Sequence, residues 1–195
     1  MISVELLHKL LSYNPDTGHM KWKPMTPDVA EELGKSKSGM NIFNSKFANK
    51  ELSNTKYKGY LKVSIRYQGE KKTCFQHRVA WALHNNEWPD DDMDHINGIR
   101  TDNRIKNLRV VTLTENQRNQ AISSRNTSGH MGVCWQKRTK SWRVRISENN
   151  KSINLGHYKD KEEAIRVRKL AEIKYGYHPN HGRINQKEND DGYTR

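Results

Sequence analysis

The strongest constraint on the fold is a strict alternation of apolar and basic side chains between Ser141 and Ile146. The apolar members are Trp142, Val144 and Ile146, and the basic members are Arg143 and Arg145. A period of two residues is typical of a β-strand with one covered face and one open face. Strand-like runs on either side and a helix start at residues 160–163 extend this prediction to a three-stranded antiparallel sheet packed on one helix.

The chain of 195 residues is polar, with 33% hydrophobic residues and a mean hydropathy of -1.07. No stretch approaches the ~18–20 consecutive apolar residues of a membrane-spanning helix, and residues 1–8 are too polar for a signal peptide. Cys74 and Cys134 are too few for a disulfide framework or a four-cysteine zinc site. We therefore expect no membrane partner and a reducing, cytoplasmic location.

Basic residues outnumber acidic ones by 35 to 22, which gives a net charge of +13. Residues 117–195 carry 17 basic and 8 acidic side chains, against 18 and 14 in residues 1–116. A basic surplus concentrated in one region is typical of a surface that neutralises nucleic-acid phosphates. A solvated basic face without a partner is the alternative, and anionic membrane binding lacks the long amphipathic helix that it requires.

Local signals outline the first part of the chain. Apolar residues at helical spacing predict a short helix within residues 2–13, and a short strand follows at Met20–Trp22. Residues 24–56 are rich in Lys, Asn and Ser and are interpreted as a loop or insertion. Strand-like runs at 60–67 and 72–77 predict a hairpin, and a helix is expected to start within Val79–His84.

Residues 93–116 combine strand, loop and helix signals with residue types suited to hydrolysis. Two short apolar runs are followed at Thr112–Glu115 by a capping box that starts a helix. This small ββα unit brings Asp94 and His95 near Asn116. A carboxylate and an amide oxygen can hold a hard cation such as Mg²⁺, and a neutral histidine can deprotonate a water for attack on a phosphodiester. Because adjacent side chains diverge along a regular strand, this chemistry must lie near the strand's edge or end.

The ordered motifs of this region resemble those of the HNH endonucleases, in particular the phage and intron-homing branch. They are His77-Arg78-Val79-Ala80-Trp81, Met93-Asp94-His95-Ile96-Asn97-Gly98, Thr101-Asp102-Asn103-Arg104-Ile105-Lys106-Asn107-Leu108-Arg109 and Thr114-Glu115-Asn116. The resemblance covers residues 58–119 and implies a ββα-metal fold. It also implies that His95 is the general base, that Asp94 and Asn116 hold Mg²⁺ (or Mn²⁺), and that Asn107 braces the loop that orients the site. Residues 14–22 resemble the N-terminal lead-in of phage members.

The region 128–176 resembles the APETALA-type DNA-binding domain of plant ethylene-response factors. The resemblance rests on Gly132-Val133, Trp142-Arg143-Val144, Leu155-Gly156-His157-Tyr158 and Glu162-Glu163-Ala164. We expect the open face of the sheet to enter the major groove of double-stranded DNA. The residues predicted to bind DNA are Arg143, Arg145, Arg138, Lys137, Trp135 and Arg78. For Arg78 and its neighbour His77, packing or a strand-end hydrogen bond is an equal alternative.

Together these patterns predict an α+β protein with five segments. They are a lead-in and loop region (1–57), an HNH nuclease domain (58–119), a linker (120–130), an APETALA-type domain (131–178) and a flexible tail (179–195). The leading hypothesis is a metal-dependent, phage-encoded homing endonuclease that nicks one DNA strand per monomer. We expect a monomer or weak homodimer in the host cytoplasm. A DNA-binding regulator that no longer cuts is the alternative, and an RNA-binding role has only the basic charge in its favour.

Overall fold

The computed structural model describes residues 2–112, 122–123, 125–148 and 151–183. The chain divides into two compact units, Met1–Val111 and Thr112–Arg195. Both units combine helices with small antiparallel sheets. Within the described ranges, every helix is too short or too polar to cross a membrane.

The first unit begins with helix α1 (Val4–Leu10), which runs directly into strand β1 (Leu11–Tyr13). The hydroxyl of Ser3 accepts a hydrogen bond from the Leu6 amide and caps the helix. The helix is shorter than residues 2–13 because the backbone becomes extended at Leu11. Strand β2 (Met20–Trp22) pairs antiparallel with β1, which confirms the predicted strand.

The prediction of a loop at residues 24–56 is wrong, because this segment contains helices α2 (Pro27–Glu32) and α3 (Lys37–Phe47). Local hydrogen bonds explain how so polar a segment folds. The hydroxyl of Ser36 caps α3 by accepting from the Gly39 amide, and the Asn44 side chain exchanges two hydrogen bonds with the backbone of Met25. No residue of α3 is fully buried, although Met40 and Phe43 pack against the core from one side of the helix.

The hairpin prediction is confirmed. A three-stranded sheet has the order β3 (Lys56–Tyr57), β4 (Tyr60–Tyr67), β5 (Glu70–Phe75), with every pair antiparallel. Helix α4 (Gln76–Asn85) follows immediately. The helix therefore begins at Gln76 rather than near Val79, and His77 lies in its first turn instead of at the end of a strand.

The predicted strand pair of the second half of this unit is also confirmed. Strand β6 (Asp92–His95) and strand β7 (Leu108–Val111) are antiparallel, and a single 3₁₀ turn (Ile105–Asn107) leads into β7. One hydrophobic core runs from Ile2 to Leu108, so the lead-in shares its core with the strands that carry Asp94 and His95. The helix predicted after Thr112, with Asn116, lies outside the described residues, and the complete ββα unit stays a prediction.

The second unit contains the predicted sheet and helix. Strands β8 (Val133–Gln136), β9 (Ser141–Glu148) and β10 (Lys151–Tyr158) form an antiparallel sheet with β9 in the middle. Helix α5 (Lys161–Lys174) is capped by Asp160, whose carboxylate accepts from the Glu163 amide. The core beneath it is formed by Val133, Val144 and Ala164.

Candidate active site

His95 is the last residue of β6, and Asp94 precedes it on the same strand. Both side chains are buried, with 3% of His95 and 9% of Asp94 exposed. The side chains of adjacent strand residues point to opposite faces. Because His95 ends the strand, the chemistry that the sequence predicts would lie at the strand terminus.

Asp94 is held by an arginine on the neighbouring strand. Asp94 and Arg109 are directly opposite in the β6–β7 pair, and Oδ2 of Asp94 lies 2.9 Å from Nη2 of Arg109 and 3.3 Å from its Nε. This ion pair is largely buried, which strengthens charge-assisted hydrogen bonds relative to a fully exposed pair. Arg109 therefore fixes the orientation of the carboxylate next to His95.

The ring of His95 has a defined hydrogen-bond partner. Its Nε2 lies 3.2 Å from Oδ1 of Asn103. An Asn103 amide that presents Oδ1 to the ring would hold the proton on Nε2 and leave the lone pair of the neutral ring on Nδ1. Burial lowers the pKa of His95 below its usual 6.5, although the hydrogen bond to Asn103 and the charge of Asp94 oppose the shift. The ring is therefore a neutral base at pH near 7.

His95 packs against a cluster of rings, here called the aromatic cluster, formed by Tyr60, Phe75 and His77. The His77 ring lies 5.1 Å from the His95 ring and nearly perpendicular to it, and the Tyr60 ring lies 5.8 Å away. Burial, with smaller contributions from His95 and Arg78, lowers the pKa of His77 to about 3. Its Nδ1 has no hydrogen-bond partner among the described residues. Of the two alternatives for His77, the structure therefore favours packing over a phosphate contact.

The loop after β6 is closed by a network around Asp102. Its carboxylate accepts hydrogen bonds from Nε and Nη2 of Arg104, at 2.7 and 2.6 Å, and from Nδ2 of Asn97 at 2.7 Å. Hydrogen bonding to Arg104 holds the pKa of Asp102 at about 2. Because Asn103 lies between Asp102 and Arg104, this network also places the amide that meets His95.

Asn107 ties the two ends of the same loop together. Its Oδ1 accepts from the Asn97 amide at 2.9 Å, and its Nδ2 donates to the carbonyl of Asp102 at 2.8 Å. Asn107 is 6% exposed, so water cannot readily replace these contacts. Its side chain thus braces the loop that carries Asn103.

The lead-in supports the loop from the other side. The hydroxyl of Tyr13 donates to the carbonyl of Asn103 at 2.7 Å, and the Ile105 amide donates to the carbonyl of Pro15 at 3.0 Å. Gly18 has φ +77°, and a Cβ there would lie 2.6 Å from the backbone nitrogen of Arg104. Only glycine fits this close approach without a backbone shift.

Replacing Asn107 with alanine is expected to lower the free energy of unfolding by about 1–3 kcal/mol, because the partly buried Asn97 amide and Asp102 carbonyl lose their partner. Urea unfolding of the full chain measures this loss. Asn54→Ala, at an exposed position, is the control and should change stability by less than about 0.5 kcal/mol. An equal effect of the two substitutions would contradict the bracing role.

Arg78 makes two hydrogen bonds to the chain before β6. Its Nη2 donates to the carbonyl of Pro89 at 2.8 Å and its Nη1 to the carbonyl of Asp91 at 3.0 Å. These contacts anchor the entry to β6 and provide a structural role for the side chain. The predicted contact between Arg78 and DNA stays a prediction.

In the second unit, the strand register separates the residues that were predicted to bind DNA. Arg143 lies opposite Cys134 and His157, whereas Trp135 lies opposite Trp142. Directly opposed residues share a face, and consecutive residues alternate. Trp135 therefore belongs to the same face as Val144, where its ring packs 5.2 Å from that of Trp142, although 45% of Trp135 is exposed. Arg143 and Arg145 share the open face, and Lys137 and Arg138 are exposed in the β8–β9 turn.

The predicted metal ligands are only partly described. Asp94 is placed on β6, and Asn116 lies outside the described residues. Within the part of the chain that is described, no group of three or more His, Cys, Asp or Glu side chains converges as a metal site. Carboxylate and amide oxygens remain a donor set that suits a hard divalent cation.

Comparison with known proteins places this site in a family. Residues 74–118 match the family model of HNH endonucleases. The chain is 31% identical to Protein 3.8 of Escherichia phage T7 over an alignment of 90 residues. This alignment covers 46% of this chain and 74% of the phage protein. The chain belongs to the Protein 3.8 family and carries an HNH endonuclease domain. No solved structure matches it significantly. The HNH domain spans Asp94, His95, Asn103, Asn107 and Asn116 and indicates a nuclease.

Three residues that position the site were not predicted from the sequence. Asn103 was assigned only to the motif around the loop, Arg109 to the end of a motif, and Tyr60 to a strand. Asn103 and Arg109 lie inside the motif at 101–109, so that motif was the available signal. Tyr60 reaches His95 only through the tertiary fold and leaves no local signal.

Proposed function

We propose that the protein is a metal-dependent HNH endonuclease that hydrolyses phosphodiester bonds in DNA. The observation that carries this proposal is the buried His95 at the end of β6, whose Nε2 lies 3.2 Å from Oδ1 of Asn103. Such a ring offers Nδ1 as the base for an attacking water. The HNH family match supports the reaction class.

The roles of the residues follow from their chemistry. Nδ1 of His95 takes a proton from the water that attacks phosphorus, and Asn103 keeps the ring in the required tautomer. Asp94, oriented by Arg109, and Asn116 would hold Mg²⁺ or Mn²⁺ through oxygen atoms. When bound, such a cation supplies stabilisation of charge on the phosphate and on the leaving 3′-oxygen. Asn107 acts indirectly, by holding the loop that carries Asn103.

We further propose a phage-encoded enzyme of the homing type that acts in the host cytoplasm. The resemblance to the phage and intron-homing branch and the relative in phage T7 support this origin. One His95 per chain supports nicking of a single strand by a monomer, with double-strand cleavage requiring a weak dimer or two successive nicks.

We propose that the open face of the β8–β9–β10 sheet docks this enzyme on double-stranded DNA in the manner of APETALA-type domains. Arg143 and Arg145 lie on that face, and Lys137 and Arg138 lie in the adjoining turn. An arginine on this face can donate two hydrogen bonds from its guanidinium to O6 and N7 of guanine.

Replacing Arg143 with alanine is expected to weaken binding to the preferred DNA site by about 1–3 kcal/mol. Selection from random duplexes identifies that site, and fluorescence anisotropy on it and on a scrambled duplex measures the loss. Arg166→Ala, on the exposed side of α5, is the matched control. Equal weakening on both duplexes would assign Arg143 to phosphate contacts and contradict base recognition.

A time course on supercoiled plasmid and phage DNA, with Mg²⁺ or with EDTA, tests the proposed function. Nicked circles that form only with Mg²⁺, before any linear product, support a monomeric nickase. Linear product without a nicked intermediate would point to paired active sites. Salt-sensitive binding without cleavage on a panel that contains the selected site would favour a regulator and contradict the proposal.

A further inference from the structure

A groove of about 640 Å³ opens in the first unit along α3 and the middle strand β4. We call it the α3 groove. Its lining includes apolar side chains, among them Trp22, Phe43, Phe47 and Val63. The groove belongs to the region that the sequence analysis interpreted as a loop without an assigned role, so the proposed nuclease mechanism does not account for it.

The charged side chains in this lining are almost all basic. The basic residues that line the groove are Lys35, Lys46, Lys50, Lys62, Arg66 and Lys71. The acidic residue in the lining, Glu51, lies 3.2 Å from Nδ1 of His19. None of the basic side chains forms an ion pair with another described residue. Unpaired cations around a concave site attract a polyanion.

The aromatic lining favours a single strand over a duplex. Phe47 is 45% exposed, its ring lies 5.4 Å from that of Phe43, and Phe43 in turn packs on Trp22. Unpaired bases stack on exposed aromatic rings while basic side chains follow the backbone, and this combination is typical of single-strand binding. In a duplex the base faces are already stacked on one another, so a duplex could contact only the basic side chains of the lining.

Strand β4 connects the α3 groove to the candidate active site. Tyr60, at the start of β4, packs on His95 with ring centroids 5.8 Å apart. The groove-lining residues Lys62–Arg66 follow on the same strand. The groove lining on β4 therefore begins two residues after the residue that packs on His95.

We propose that the α3 groove binds a single strand of DNA next to the cleaved bond, with a base stacked on Phe47 and phosphates on Lys46 and its basic neighbours. This inference rests on the proposed endonuclease function, which makes DNA the polyanion that the protein meets. It assigns the groove a role in holding a locally opened strand.

Binding of a fluorescein-labelled oligothymidylate of about 12 nucleotides, within the usual range of site sizes, tests the proposal on the full chain in EDTA. Phe47→Ala is expected to lower its affinity about fivefold or more, the value for one lost stacking contact. Ile42→Ala removes an exposed apolar side chain from the same helix outside the groove and should leave affinity unchanged. Phe47→Leu, which keeps an apolar side chain, should lose the same stacking, and thermal melting checks that each variant is folded.

The salt dependence of binding gives an independent test, through one lysine in the groove lining and one outside it. Lys46→Gln should reduce the slope of log affinity against log salt by about 0.7, the value for one phosphate contact on a single strand. Lys37→Gln, on α3 but outside the groove lining, should not change the slope. Photo-crosslinking with 5-iododeoxyuridine in the same oligonucleotide should label peptides that contain Phe43 or Phe47.

The proposal is overturned if Phe47→Ala has the same effect as its control Ile42→Ala and Lys46→Gln has the same effect as its control Lys37→Gln. Crosslinks that occur only in the second unit would also overturn it. So would variants that lose affinity for duplex DNA as strongly as for single-stranded DNA. Binding of anionic lipid vesicles that depends on Phe47, without such an effect on the oligonucleotide, would also overturn it. Plasmid nicking by wild type separates the two claims. If the wild type nicks plasmid but each variant binds the oligonucleotide like its control, only the single-strand role of the α3 groove is rejected. If binding depends on the groove residues but no nicking occurs, only the nuclease function is rejected.

Discussion

Replacing His95 with alanine is expected to lower the rate of DNA cleavage by about 10²–10⁴-fold, the contribution of a positioned general base. Affinity for DNA should stay within about twofold, because a buried neutral ring adds no charge to the surface that attracts phosphates. Single-turnover cleavage of a labelled duplex measures the rate, and anisotropy in EDTA measures the affinity.

His84→Ala is the matched control for this experiment. His84 lies in the last turn of α4 and is exposed, so its loss should change neither rate nor affinity. Joint loss of cleavage and affinity in His95→Ala would indicate unfolding, and His95→Gln would then be measured, since it retains more of the side-chain volume. Full cleavage by a folded His95 variant would contradict the assignment of the base.

Replacing His77 with phenylalanine is expected to make the first unit markedly more resistant to acid. Burial lowers the pKa of His77 to about 3, whereas the unfolded chain binds the proton near the ordinary value of 6.5. The unfolded state therefore binds more protons below that value, and stability is lost as pH falls from 6.5 towards 3. At about pH 4.5 this one group costs about 3 kcal/mol relative to neutral pH.

Urea unfolding gives the free energy of unfolding of wild type and of His77→Phe at pH about 7 and at pH about 4.5. The stability of the variant relative to wild type should increase between the first pH and the second. The phenyl ring suits the site because Tyr60 and Phe75 already surround it with rings. His95 is present in both proteins, so the difference isolates His77. The exposed His84 replaced with phenylalanine is the control, and a difference that does not vary with pH would contradict the buried, neutral state of His77.

The strands were predictable because their signals are local. Alternation at Ser141–Ile146 reflects a covered and an open face of β9. The β4–β5 hairpin is indicated by two strand-like runs on either side of a turn. Helix α3 was missed for the opposite reason. It buries no residue completely and depends on Ser36 and Asn44. Its apolar residues Met40, Phe43 and Phe47 stand at helical spacing, but the polar residues around them dominated the interpretation as a loop.

The candidate site was predictable only as far as its motifs reach. Asp94 and His95 stand out because a carboxylate and an imidazole are adjacent before a turn, and the HNH family match covers them. The partner of His95 was not recognised, because Asn103 reaches the ring only after the loop closes on Asp102 and Asn107. Contacts of this kind depend on tertiary structure, and no spacing rule along the chain encodes them.

The chemistry of the cut ends tests the central claim most directly. Attack of a water activated by His95, with departure of the 3′-oxygen, leaves a 5′-phosphate and a 3′-hydroxyl. Wild type incubated with supercoiled DNA and Mg²⁺ should therefore produce nicked circles that DNA ligase reseals, and EDTA should prevent their formation. Intact DNA despite binding of the selected site, or nicks that ligase cannot reseal, would contradict the account.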